Sequence, residues 1–150
     1  MNLSKDLTDF LSLLKEHQVE FAICGGHAVA FHGYPRLTMD LDILILPTEE
    51  NSLKLMDTLN AFGFGACGMP QEAFRKEGTV VTLGEQPNQI DLLTSMSHQN
   101  TRDVINNSVS GNLAGYQVRF VSKDDLIRAK REAMRPKDIA DLHELLEGFE

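Results

Sequence analysis

The order of apolar and polar residues divides the chain into alternating helical and extended segments. Leu3, Leu7, Phe10, Leu11 and Leu14 recur at three- and four-residue steps. That spacing lays one apolar stripe along a helix that Ser4 can cap and that ends near His17. Glu20 to Cys24 reads as a short strand, and Gly25-Gly26 breaks it before an Ala/Val segment expected to be helical up to Gly33. Pro35 disfavours helix. Asp40 to Leu46 is then a strand rich in Leu and Ile, stopped by Pro47. Thr48 caps the next helix, Glu49 and Glu50 suit its positive N-terminal end, and Leu53, Met56, Leu59 and Phe62 form its expected buried stripe.

From Gly63 to Gly78 the glycines, Pro70 and mixed polarity predict a loop, a possible flap, with one short helical turn around Gln71 to Phe74. Thr79 to Leu83 and Gln89 to Thr94 read as two strands joined by a hairpin connection over Gly84-Glu85-Gln86-Pro87-Asn88, and a further hairpin fits between Ser108 and Ser122. The tail is helical: Ser122-x-x-Asp125 resembles a capping arrangement, and Pro136 suits the first turn of a second helix ending at Gly148. No repeat, low-complexity segment or linker divides the chain. One α/β or α+β domain over residues 1–150 is expected, with C-terminal helices at about 122–148.

Composition supports that picture. A chain of 150 residues, 42% hydrophobic, can bury roughly two-thirds of the surface its unfolded form exposes. Cys24 and Cys67 stand far apart with no CxxC or zinc-like spacing, and the start MNLSKDLTDF lacks a secretion signal. A reduced cytoplasm is the expected location. No apolar run approaches the roughly 20 residues that span a bilayer, so no membrane partner is expected. The net charge of -8 argues against a broad basic nucleic-acid surface and favours small-molecule or protein partners, although a local Lys/Arg patch could hold a nucleic acid.

The chemistry begins with carboxylates. Side chains alternate along a strand, so Asp40 and Asp42 point the same way while Leu41 and Ile43 point into the core. Their α-carbons should lie about 6.6 Å apart, close enough for both carboxylates to share or flank a hard divalent cation. Asp91 stands in a second apolar strand, Ile90-Asp91-Leu92-Leu93, and a neighbouring place in the sheet would supply a third acid. Any one of these could simply be solvated at a strand end. Three acids flanked by apolar residues are costly without a cation, a hydrogen-bond donor or water, which favours a shared metal site for Mg2+.

Gly25-Gly26 between strand and helix lets backbone amides approach an anion such as a triphosphate, although a plain tight turn explains a GG pair as well. Arg36 can bind phosphate or neutralise a carboxylate, and Thr38 shares the alternating face of Asp40; bracing of the loop is the alternative for both. His27 and His32 are five positions apart, poor spacing for one helical face, and read as packing or surface residues. His98 and His143 have no partner at useful spacing, and Cys24 reads as a buried core thiol.

The segment carrying Gly25-Gly26-His27-Ala28, His32-Gly33, Arg36, Thr38 and Asp40-Leu41-Asp42 resembles the nucleotidyltransferase superfamily, of the DNA polymerase beta-like fold, in which a GG or GS turn precedes D-x-D. It is most similar to the minimal nucleotidyltransferase-like proteins and the abortive-infection-type nucleotidyltransferase toxins, with their R-x-T-x-D-x-D string. Asp91 matches the third acid. The tail Lys130-Arg131, Arg135-Pro136-Lys137-Asp138 and Asp141-Leu142 is similar to the toxins' later lysine-and-aspartate motif.

The resemblance implies a mixed central sheet flanked by helices, and transfer of a nucleoside monophosphate from a nucleoside triphosphate to a hydroxyl or phosphate acceptor with release of pyrophosphate. Asp40, Asp42 and Asp91 would hold Mg2+ or Mn2+, with Asp91 alternatively helping to deprotonate the acceptor. Gly25, Gly26 and Arg36, with Thr38, would grip the triphosphate. Lys130 would be catalytic and Asp138 would contact nucleotide, against the plainer reading of a solvated helix face with an ion pair. Small-molecule, tRNA and protein acceptors fit, as do a homodimer or an antitoxin as partner. The toxins usually carry an extra helical domain, so a weakly active nucleotide-binding or regulatory module, or the toxin of a toxin-antitoxin pair, are the alternatives.

Overall fold

The computed structural model describes residues 4–33, 40–63 and 71–147. Leu3, Pro35, Arg36, Thr38, Cys67, Pro70 and Gly148 therefore lie outside the described residues. Helix α1, Lys5–Glu16, is capped by the Ser4 hydroxyl, which accepts from the Leu7 amide, and buries Leu7, Phe10, Leu11 and Leu14 on one face. Strand β1, Phe21–Cys24, is buried along its whole length and runs directly into helix α2, Gly25–Phe31. Strand β2 is Asp40–Ile45 and helix α3 is Glu49–Phe62, capped by Thr48.

A short 3-10 turn, Gln71–Arg75, leads to strands β3, Val80–Leu83, and β4, Gln89–Leu93. Helix α4, Thr101–Asn106, follows, then the hairpin β5, Val109–Leu113, and β6, Tyr116–Phe120. Helices α5, Lys123–Ala133, and α6, Pro136–Glu147, form the end. The predicted strands, hairpins and tail helices are present, each within a residue or two of its expected ends. Helix α4 was not predicted.

The six strands form one mixed sheet in the order β3-β4-β2-β1-β6-β5. β1 is antiparallel to β2 and parallel to β6, β2 is parallel to β4, and the outer pairs β3-β4 and β5-β6 are antiparallel hairpins. The core joins the α1 face to Ile23, Leu41, Ile43, Leu44, Ile45 and Leu55, all fully buried, and Phe10 meets Phe62 edge-on at 5.0 Å.

One expectation for α3 is corrected. Leu53 is 51% exposed, and the face turned inward carries Asn51, Ser52, Leu55, Thr58 and Leu59. The reason is a polar tie: buried Asn51 accepts from the Glu20 amide at 2.7 Å and donates to the Glu20 and Leu46 carbonyls, both at 2.9 Å. This side chain satisfies backbone groups at the outer ends of β1 and β2, and it fixes which side of α3 docks. Among the described residues no helix is long and apolar enough to cross a membrane.

Candidate active site

Strand β2 alternates as its sequence requires: Leu41 and Ile43 are fully buried, whereas Asp40 and Asp42 are half-buried on the other face. Register then assembles a row across four strands. Cys24 of β1 is opposite Asp42, Asp42 is opposite Asp91 of β4, and Asp91 is opposite Thr82 of β3. Asp40 is opposite Gln89 in the next row. The two central carboxylates thus sit one strand spacing apart, roughly 4.8 Å in the backbone.

That proximity is felt electrostatically. Burial, a hydrogen bond with Asp91, and the charges of Asp91 and Asp40 raise the Asp42 carboxyl to about 7, with the Lys137 charge opposing. In the protonated form Asp42 donates to Asp91, so the pair shares a proton where repulsion would otherwise prevail. Asp91 also accepts from Thr82 Oγ1 at 2.8 Å and from Gln89 Nε2 at 3.1 and 3.2 Å. Asp40 accepts from Gln86 Nε2 at 3.1 Å.

The glycine turn meets this row. Gly25 has a φ of +65°, and a Cβ there would stand 1.9 Å from Asp42 Oδ2 and 2.7 Å from its Cγ. Only glycine permits this approach. Cys24, at the N-cap of α2, makes no side-chain capping bond. Burial first, then the Asp42 charge, pushes the Cys24 thiol well above its ordinary value. Cys24 is therefore the inert core thiol expected. His27 is buried, and His32 pairs through Nε2 with the Val121 carbonyl at 2.9 Å. Both are packing residues.

Lys130 and Asp138 belong to one interhelical cluster. Lys130 Nζ lies 3.0 Å from Asp141 and 3.5 Å from Asp138, and Arg135 Nε lies 2.6 Å from Asp138. Burial pushes Asp138 upward, but the Arg135 hydrogen bonds and the Lys130 and Arg135 charges outweigh it and hold the carboxyl below its ordinary value. The ion pair of the plainer reading is present. Its solvated face is not, because Lys130, Asp138 and Asp141 are all buried.

Arg36 and Thr38 lie outside the described residues, so the structure brings together Gly25, Asp40, Asp42 and Asp91. Sequence reasoning missed Thr82, Gln86 and Gln89, and it named Lys137 and Arg135 only within the tail motif, without the reach of their charges to Asp42. Gln89 was discoverable, because it stands two positions before Asp91 on the same strand face. Thr82 required the register.

Hard divalent cations prefer oxygen ligands, and the Asp42–Asp91 pair, with its crowded negative charge and bridging proton, is a donor set of that chemistry. Among the described residues no group of three or more His, Cys, Asp or Glu is gathered to hold one ion; Asp40 is turned to Gln86. A cleft of about 480 Å³, lined by Gln99, Asp103, Asp125 and Arg128 among others, is between α4 and α5 and shares no residue with the acid row.

Residues 3–149 match the family described as "Nucleotidyl transferase of unknown function (DUF2204)". No curated protein matches the chain. Six chains of solved structures match, among them the lincosamide antibiotic adenylyltransferase LnuA in its lincomycin-bound crystal structure. That likeness has a TM-score of 0.54 at 14% identity and covers 97% of this chain and 98% of the other. It shows the nucleotidyltransferase fold, which the mixed six-stranded sheet also displays. With the family match spanning nearly every residue, the chain belongs to the nucleotidyl transferases.

Proposed function

We propose that residues 1–150 form one catalytic domain that moves a nucleoside monophosphate from a nucleoside triphosphate, ATP first among them, to a hydroxyl of a small-molecule acceptor. Asp42 and Asp91 would hold a divalent cation such as Mg2+, with Asp40 joining them on release from Gln86. The bound cation would neutralise charge on the triphosphate and on the leaving pyrophosphate. The first amides of α2, at Gly25 and Gly26, would take phosphate oxygens, with Arg36 and Thr38 supplying further contacts. The acceptor oxygen forms the new bond to the α-phosphorus as the bond to pyrophosphate breaks, and the acceptor proton passes to Asp91 or to water.

The observation that carries this reading is the register of Asp42 against Asp91 with the Gly25 backbone pressed on the same carboxylate. The small-molecule acceptor rests on the solved neighbour, an antibiotic adenylyltransferase of matching extent. An α-labelled triphosphate panel incubated with Mg2+ and lincosamide, aminoglycoside, tRNA and protein acceptors tests it. Label should appear on a small molecule and vanish with Asp42→Asn. Label on RNA or protein, with growth arrest on expression that requires Asp42, would replace it with the toxin reading. Nucleotide binding with no transfer would leave a regulatory module.

A further inference from the structure

We propose that Thr82 and Gln89 are positioning residues that set the orientation of the Asp91 carboxylate, so that the β3-β4 hairpin builds the third-acid side of the site. This rests on the metal-holding reading above. Strand order places Asp91 between Asp42 on β2 and Thr82 on β3. Asp42 meets it from the inner side, sharing a proton with it in the metal-free protein, and Thr82 holds Oδ1 from the outer side at 2.8 Å. Gln89, two residues earlier on the same strand face, donates from Nε2 to both Asp91 oxygens at 3.1 and 3.2 Å.

Once both acids are ionised, as a cation requires, a carboxylate one strand away from another would turn outward if left free, because rotation about its side-chain bonds is cheap and the repulsion is not. The donors on Asp91 oppose that rotation. Both come from neutral groups, a hydroxyl and an amide, so they orient the acid without cancelling the charge that attracts a cation. A lysine or arginine in either place would compete with the cation for the same oxygens.

The test is Mn2+ binding to the nucleotide-free protein, followed by the loss of the free-ion electron paramagnetic resonance signal. Thr82→Val and Gln89→Leu, each close in size to the native residue, should weaken binding roughly tenfold. Thr82→Ser, which keeps the hydroxyl, should bind as the unsubstituted protein does. Circular dichroism in EDTA should show all three folded alike. Unchanged Mn2+ affinity in both Thr82→Val and Gln89→Leu would overturn the assignment while leaving the metal site standing. Mn2+ binding that is absent, or equal in Asp42→Asn and the unsubstituted protein, would overturn the metal reading and this assignment with it.

Discussion

Gly25 lies so close to Asp42 that a Cβ on it would stand 1.9 Å from the carboxylate oxygen. The β1-α2 turn and the acid strand therefore form one unit, and the pair is sensitive to a single methyl group. Gly25→Ala meets two penalties, about 1–2 kcal/mol for a left-handed backbone and about 1–3 kcal/mol for overlap in a packed place. Urea unfolding should show a loss of roughly 2–5 kcal/mol. In an Asp42→Ala background, where the clashing oxygen and Cγ are gone, the loss should shrink by about 0.5–3 kcal/mol; additive losses would contradict the contact.

Asp42 makes the metal-free protein pH-dependent. Its folded pKa of about 7 stands above the ordinary 3.8, so the folded state holds this proton more tightly than the unfolded one. Its contribution is fully present below about pH 4 and is lost as pH rises towards 7. Asp42→Asn should flatten this slope and, in EDTA at pH 8, be more stable than the native protein by an amount on the order of a few kcal/mol, although it should transfer nothing. Thermal midpoints at pH 5 and pH 8 measure this. A steeper slope in Asp42→Asn would refute it.

The buried Lys130 holds together the acids of α6. Removing its charge leaves Asp138 with Arg135 alone and leaves Asp141 without its 3.0 Å ammonium partner. Lys130→Met should cost about 3–5 kcal/mol and lower the thermal midpoint by roughly 10 °C. If the midpoint stayed put while turnover collapsed, Lys130 would be a catalytic group and not an interhelical one.

Asn51 offers a test away from the chemistry. Its side chain bonds one amide and two carbonyls of Glu20 and Leu46; Asn51→Leu strands the Glu20 amide, while the Glu20 and Leu46 carbonyls keep the Leu46 and Thr48 amides as donors. A loss of about 1–3 kcal/mol in denaturant unfolding is expected, with Mn2+ affinity unchanged.

These residues also show what the sequence makes legible. The alternation in Asp40-Leu41-Asp42-Ile43 and the glycine turn are local patterns, and both are present as read. That Asp91 meets Asp42, with Thr82 behind it, depends on β4 pairing parallel to β2 at a separation of 49 in residue number, which no local period records. Helix α4, TRDVIN, has two apolar residues and is too short to display a stripe. On α3 the apolar count pointed to Leu53, but the Asn51 bonds to β1 and β2 chose the docked face. For Lys130 the resemblance implies a catalytic role and the plainer reading a solvated face with an ion pair; its burial is not legible, because nothing in the sequence shows α6 folding its acids back over α5.

The account turns on Asp42 and Asp91 acting together in nucleotidyl transfer, and pyrophosphate release from ATP with Mg2+ and a small hydroxyl acceptor measures that most directly. The native protein should release pyrophosphate in step with product, and Asp42→Asn and Asp91→Asn should each reduce the rate by at least roughly a hundredfold. Release that survives either substitution at the native rate would contradict it.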